Sequence, residues 1–351
     1  MQLHRPLPSF EHRIYPAHKV AALVSALVEK GVPAADALAG SGLSEGRLNA
    51  AATRVSYKQM LTAFRNALRL SPDPALALLA GQHMHITAYG MYGYALLSSP
   101  THAEGVEFAV RHHRVMGPAA DMSFRQSDDE VIFSYQPVIA PDPTDELYRF
   151  VTEFQLSSHL TITTDLYGAS FRLSQVRLSY PAPKHAPMYR KVFRCPVHFR
   201  QPVDELRFSI RWLAKPMPYA DPITNAMARE MCQKSLAEID QAEGMAGAIR
   251  RILIEHPGRF PSIAAMADEL KLNARTLRRK LDAEETSYRV ILAEVRMRLA
   301  IGYLRQTNMT NEEIASRLGY SDSANFRHAF TRWTNKNPSD FRAPRGWDNR
   351  P

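Results

Sequence analysis

A repeat near the C-terminal end constrains this chain more than any other feature. Ile263–Leu270, Lys271-Leu272-Asn273 and Ala274–Leu281 form one copy; Glu313–Leu318, Gly319-Tyr320-Ser321-Asp322 and Ser323–Phe330 form the other. Each copy reads as a short helix, a tight turn and a second short helix. In the second helices, Leu277 with Leu281 and Phe326 with Phe330 are apolar pairs at i, i+4, the spacing that puts two side chains on one helical face. Ala267 and Ala315 stand where two crossing helices need a small side chain. Asn273 and Asp322 are the expected N-caps, because a short polar side chain there can accept an orphan backbone N–H. The layout is a helix-turn-helix, written twice.

Turning the apolar pairs inward leaves an outer face on each second helix. Arg275, Arg278 and Arg279 face out on the first; on the second, Phe326, Phe330 and Trp333 are expected inside and Ser323, Ala324, Arg327 and His328 outside. Arginine can bond a guanine edge through two donors, or pair with phosphate. Charge agrees with a polyanionic partner. Of the net +9, residues 250–351 hold 19 Lys and Arg against 12 Asp and Glu, a balance of +7. Between the copies, Ser287 to Gln306 is rich in helix formers and apolar at Ile291, Leu292, Val295, Leu299 and Leu304. About twenty helical residues span roughly 30 Å, close to the roughly 34–36 Å turn of DNA. One chain is thus expected to set two helices into successive major grooves of double-stranded DNA and read two adjacent half-sites without needing a dimer.

The remaining length belongs to something else, since 351 residues fit two or three domains. Residues 18–115 read as mostly helical, through Val20, Leu23, Val24, Leu27 and Val28 and then Met60, Leu61, Phe64 and Leu68. Gly90 and Gly93 are expected to break a tyrosine-rich stretch. Apolar runs on either side of Ser127–Glu130 predict a β-hairpin. A helix follows over Thr144–Leu166, then strands at 171–180 and 197–212. Residues 221–243 read as a helix with Ile223, Met227, Met231, Leu236 and Ile239 on or near one stripe, suited to a connector, a dimer contact or a core. The expected organisation is an α+β regulatory domain over 18–215, a helical connector over 216–244 and an all-α domain with two helix-turn-helix subdomains and a long linker helix over 245–343.

Absences narrow the function. The chain has no G-x-S-x-G, Walker-type loop or H-E-x-x-H, so no catalytic residue and no cofactor is expected. Cys195 and Cys232 are far apart and form no C-x-x-C pair, against a disulfide framework. His83, His85, His112 and His113 lack the convergent spacing of a metal site, and no metal is expected. Asp128-Asp129-Glu130 reads as a solvated turn. No run of about 18 apolar residues occurs, so no membrane span is expected; Met1–Pro16 has no apolar leader, and a reducing cytoplasm is the simplest location. Tyr89, Tyr92, Tyr94 and Arg111 are candidate walls of a small-molecule pocket, aromatic with a polar group, although the same residues suit a core.

Residues from about 246 to 343 resemble the AraC/XylS family of transcription regulators. The resemblance rests on Ile314-Ala315, Leu318-Gly319-Tyr320-Ser321, Phe326, Ala329-Phe330, Arg332-Trp333, Asn337-Pro338 and Phe341-Arg342, preceded by Arg275-Thr276-Leu277. It implies sequence-specific control of transcription, usually activation through RNA polymerase. It also implies base contacts by Arg275, Arg278 and Arg279, and by Ser323, Ala324, Arg327 and His328. Two departures concern turns: Glu285 and Asn335 stand where glycine is usual, and a positive φ at Glu285 would disfavour a side chain. Residues 18–215 are similar to the domain of the ornithine-utilisation-regulator subgroup, through Gly90 and Gly93-Tyr94-Ala95-Leu96-Leu97-Ser98-Ser99. That implies a small-molecule effector and a homodimer, without identifying the effector. Two rival readings remain: an enzymatic N-terminal domain fused to a DNA-binding one, and an architectural DNA-binding protein without effector.

Overall fold

A computed structural model describes residues 11–342 apart from 49, 141, 257 and 259. The first ten residues of the expected N-terminal stretch, and residue 343 of the expected last domain, lie outside the described residues. The chain divides into two compact units, one from Arg13 to Ile239 and one beginning at Asp240.

The first unit opens with helices α1 (His18–Glu29), α2 (Tyr57–Leu70), α3 (Leu76–Gln82), α4 (Gly90–Leu97) and α5 (His102–His112). A capping box starts α2: the Ser56 side chain accepts from the Gln59 N–H, and the Gln59 side chain accepts from the Ser56 N–H. Gly93 lies inside α4 rather than breaking it, because an added Cβ would overlap the Ile86 carbonyl oxygen. Strands β1 (Ala120–Gln126) and β2 (Glu130–Pro137) form the expected hairpin, with Phe124 opposite Phe133. Helix α6 (Glu146–Tyr167), strand β3 (Gln175–Arg177), helix α7 (Ala186–Phe193), and strands β4 (Val197–His198) and β5 (Asp204–Ser209) follow. Among the described residues the sheet runs β1-β2-β5-β3-β4, antiparallel except for the β3–β4 pair. The strand expected over 171–180 is only three residues long. Glu130 is not simply solvated: it meets Arg207 at 3.1 Å, from β5.

Alternation along β2 and β5 turns Val131, Phe133, Tyr135, Leu206 and Phe208 into one core, against Tyr148 and Leu156 of α6. A second core gathers Leu23 and Leu27 of α1, Phe64 of α2 and Phe150 and Phe154 of α6. Helix α6 therefore serves two cores, and its buried residues include the polar Thr152, Glu153, Gln155, Ser157, Ser158 and Thr163.

Helix α8 (Pro222–Glu255) is interrupted at Gly244, whose φ of 64° and ψ of −154° are not helical. Before the break, Ala228, Cys232 and Ile239 belong to the core of the first unit. Of the stripe read from the sequence, Ile239 is buried in that core, whereas Ile223, Met227 and Met231 are exposed.

After the break the second unit is all helical: α9 (Ile263–Glu269), α10 (Ala274–Ala283), α11 (Tyr288–Gln306), α12 (Asn311–Arg317) and α13 (Ser323–Thr334). The Glu284 carboxylate accepts from the Met245 and Ala246 N–H groups, each at 2.8 Å, and so caps the helix that restarts after Gly244. A Cβ at Gly244 would collide with that carboxylate. Two small cores follow. Met266, Ala267, Leu277 and Leu281 pack with Ile291 and Val295 of α11. Ala315, Leu318, Phe326 and Phe330 pack with Ile301 and Leu304, also of α11. Each half of α11 thus completes one helix-turn-helix.

Candidate nucleic-acid interface and an enclosed cavity

The second helix of each repeat is held at its start by the expected residue. Asn273 accepts from the Thr276 N–H at 2.8 Å, and Asp322 from the Asn325 N–H at 2.7 Å. Leu277 and Leu281 are buried, which leaves Arg275, Arg278 and Arg279 exposed on α10. Lys280 is exposed beside them. The same inside–outside rule would have found it, and as a last-turn cation it also complements the helix dipole. On α13, Phe326 and Phe330 are buried, Ala324, Arg327 and His328 are exposed, and Ser323 is half-buried. Trp333, expected inside, is half-buried against Tyr320, with ring centroids 6.3 Å apart. The interior place is taken by Phe341, which meets Phe330 edge-on at 5.1 Å.

The two outer faces differ in charge. That of α10 presents Arg275, Arg278, Arg279 and Lys280, with Asp282 exposed in its last turn. Beside α13, the exposed carboxyl of Glu312, at the start of α12, stays below the usual carboxylate range, first through a hydrogen bond with the Ser323 side chain and further through the charge of Arg327.

The repeats are also tied to each other. The Arg296 guanidinium, from the middle of α11, lies 4.9 Å from the ring centroids of both Phe260 and Tyr320. It donates to the Gly319 carbonyl oxygen at 3.3 Å. Phe260 precedes α9 and Tyr320 belongs to the second turn, so one side chain bridges both subdomains. The two departures in the turns keep a left-handed backbone, with φ of 53° at Glu285 and 57° at Asn335. The turn after α10 is not reshaped. Thr286 N–H still reaches the Leu281 carbonyl oxygen at 3.0 Å, and that closure holds Glu285 in a conformation glycine would adopt more easily.

The first unit contains a cavity of about 820 Å³, part of it open to solvent. Tyr89, Tyr92, Phe133, Tyr167 and Phe208 supply aromatic wall, and Lys19, Gln155, His102, His113, His159 and Thr163 supply polar groups. No Asp or Glu lines it. Tyr94 and Arg111 lie elsewhere: Tyr94 is exposed, and Arg111 is exposed and paired with Glu107 at 2.9 Å. Lys19 is only 3% exposed; its ammonium donates to the Met116 carbonyl oxygen at 2.6 Å and lies 3.2 Å from His18 Nε2. Burial pulls its pKa down to about 7. His113 and His159 show surface to the cavity but are enclosed by protein. Burial pulls them to about 3 and about 4, and the Lys19 charge further disfavours the proton on His113. Nothing local in the sequence marks Lys19, Gln155 or His159, which come from α1 and α6.

The four histidines weighed as metal ligands are scattered. His83 is 3.7 Å from Glu29, His85 is 3.1 Å from Asp165, His112 stacks on Phe108 at 4.4 Å, and His113 faces the cavity. Among the described residues no group of three or more His, Cys, Asp or Glu could hold a metal ion. Among them, too, no helix is long and apolar enough to cross a membrane.

Two capped recognition helices with exposed basic faces, in a chain with a separate cavity-bearing unit, define a DNA-binding transcription regulator. Residues 266–344 match a family described as a helix-turn-helix domain, and residues 31–217 match the N-terminal arabinose-binding domain of AraC transcription regulator. The ornithine utilization regulator of Pseudomonas aeruginosa is 33% identical over 334 residues, which is 95% of this chain and 98% of that protein. An uncharacterized HTH-type transcriptional regulator of Mycobacterium tuberculosis is 29% identical over 335 residues, 93% of this chain and 96% of that one. The crystal structure of the transcriptional regulator CdpR from Pseudomonas aeruginosa is similar with a TM-score of 0.49 at 25% identity, covering 92% of this chain and 97% of CdpR. The chain belongs to the AraC family of transcription regulators. It is a regulator with an effector-type N-terminal domain, not an enzyme.

Proposed function

We propose that the protein reads two adjacent major-groove half-sites and that a small molecule in the cavity sets its activity. Arg275, Arg278 and Arg279 supply base contacts in one groove, and Ser323, Ala324, Arg327 and His328 in the next. Backbone N–H groups and neighbouring arginines hold phosphates and set register. The observation that carries this reading is the 19-residue helix α11, about 28 Å long at 1.5 Å per residue, completing both repeats and locked to them by Arg296. The output is activation of a promoter through contact with RNA polymerase, in the cytoplasm where the chromosome lies.

Tyr89 and Tyr92 belong to the proposed effector site; Tyr94 and Arg111 are left out by their positions. The ligand acts only through a difference in its affinity for two states of the protein. The names of the relatives suggest arabinose or ornithine. A sugar needs many polar partners, and these walls are mostly aromatic and aliphatic. Ornithine needs a carboxylate for its second ammonium, and none lines the cavity. A homodimer also fits: Ile223, Met227 and Met231 form an exposed apolar row at four-residue spacing. Light scattering of wild type and Met227→Glu at equal concentration tests it; equal masses for both would remove this contact.

Footprinting on DNA flanking the gene, at about 0.15 M salt with excess competitor, tests the main reading. The expected result is protection of two major-groove segments on one face of the duplex. Salt-sensitive binding without any protected segment, even with cell extract added, would replace it with the architectural one.

A further inference from the structure

The cavity carries a chemical bias that names its ligand class; this inference rests on the cavity being the effector site. Two buried carboxylates elsewhere in the first unit have partners of opposite sign. Glu153 meets His185 at 2.8 Å and Arg149 at 3.5 Å, and Glu205 meets Arg125 at 2.9 Å and Arg207 at 2.7 Å. Lys19 departs from that rule. It is as buried as they are, it borders open space, and no carboxylate among the described residues pairs with it. An amine buried this way is costly to charge, and a native fold that keeps one at a cavity wall leaves a place for an anion.

A second observation is independent of Lys19. Gln155 is 7% exposed and lines the same cavity, and its side-chain oxygen has no hydrogen-bond partner. An orphan of this kind calls for a polar group from a ligand, and an amide can turn to offer either its oxygen or its nitrogen. Much of the rest of the wall, including Leu96, Ile162, Met122, Phe133 and Phe208, is apolar, interrupted by His102, His113, His159 and Thr163. A single cation matches a single negative charge. His113 and His159, enclosed and uncharged at neutral pH, offer polar edges but no second cation. A dianionic phosphate would therefore keep a charge uncompensated.

We propose that the cavity binds a carboxylic acid with an apolar body, its carboxylate paired with Lys19 and its body against the aromatic wall of Tyr89, Phe133 and Phe208. Binding brings the missing anion to a preformed site, and the Gln155 amide completes the polar end.

The test is calorimetric titration of the full-length protein at pH 7 with octanoate and 4-phenylbutyrate, each against its own alcohol and its own amine. The expected order is acid first, by about tenfold or more over the alcohol, with the amine last. Lys19→Met is expected to bring the acid down to the level of the alcohol without weakening the alcohol. Equal binding of acid and alcohol, preference for the amine, no binding of either acid, or an acid preference that survives Lys19→Met would each overturn the proposal. If Lys19→Met does not fold, the wild-type order decides alone. The underlying effector reading is judged separately, by whether cell extract changes DNA binding of wild type but not of Val106→Phe, which fills part of the cavity. A response lost in Val106→Phe with no acid bound keeps the effector site and discards the carboxylate; a response that survives the filled cavity removes both.

Discussion

The two units handle positive charge in opposite ways. The second unit displays it: Arg275, Arg278, Arg279, Lys280 and Arg327 are all exposed, over two small cores that include the paired leucines and phenylalanines. The first unit encloses it, holding Lys19, His113 and His159 around a cavity where burial strips or weakens their charge. A solvated arginine is ready for any phosphate that arrives, and its attraction is long-ranged and screened by salt. An enclosed amine is selective, because it becomes a good partner only for a group that brings both the charge and the shape. The same chemistry thus serves contact with a large polyanion in one unit and discrimination among small molecules in the other.

The sharpest way to break this contrast is to collapse the platform under the exposed charges. Leu277→Ala removes a fully buried side chain shared by α10 and α11, and is expected to cost about 2–5 kcal/mol. Urea unfolding measures it; wild-type stability would mean that the arginine face is not set by this core. Arg278→Ala is the next largest, at about 1–3 kcal/mol of DNA affinity with relaxed discrimination at one base pair. Uniform weakening over all sequences, measured by competition binding, would make Arg278 a phosphate contact instead.

The enclosed charges predict a pH response confined to the first unit. The folded pKa values of His113 and His159 lie below the ordinary 6.5, so the unfolded chain binds more protons in acid. Their contribution to stability is complete above pH 6.5 and is lost as pH falls through about 4 toward about 3. Lys19 titrates near 7 when folded and 10.5 ordinarily, so it adds stability as pH rises between those values. Each proton of difference contributes about 1.4 kcal/mol per pH unit. Unfolding followed by Trp212 fluorescence, with Trp333 and Trp347 replaced by Phe, reports on this unit. Lys19→Met is expected to flatten the alkaline limb and, by removing the charge that disfavours the His113 proton, to soften the acid limb. The smallest effect concerns the exposed face again. Glu285→Gly relieves a left-handed residue, and is expected to stabilise the second unit by about 1 kcal/mol. A loss of stability would show that the Glu285 side chain makes up for its backbone.

The exposed half of this contrast was legible from residue spacing because it is local. Leu277 with Leu281, and Phe326 with Phe330, fix which face turns inward, and the caps Asn273 and Asp322 mark where each helix begins. Trp333 was misjudged because Phe341, from the closing turn, fills the interior first. The enclosed half was not legible. Lys19 sits in α1 where any polar residue reads as solvent-facing, while Gln155 and His159 come from α6, more than a hundred residues later. Only tertiary packing brings them to one wall. Tyr89 and Tyr92 line it while Tyr94, two residues on, points away, a difference that composition does not carry. The row Ile223, Met227 and Met231 misleads for a related reason. Hydrophobic periodicity finds a face but does not say whether that face or the opposite one, with Ala228 and Cys232, is packed.

The carboxylate of Glu284 at the restart of the helix after Gly244 has a consequence for how such a chain can be taken apart. The groups that finish this helix end come from inside the second unit, so a chain begun at residue 240 brings its own start with it. The DNA-reading half is then a portable part. It can be joined behind an unrelated sensing domain without leaving a ragged helix end at the seam.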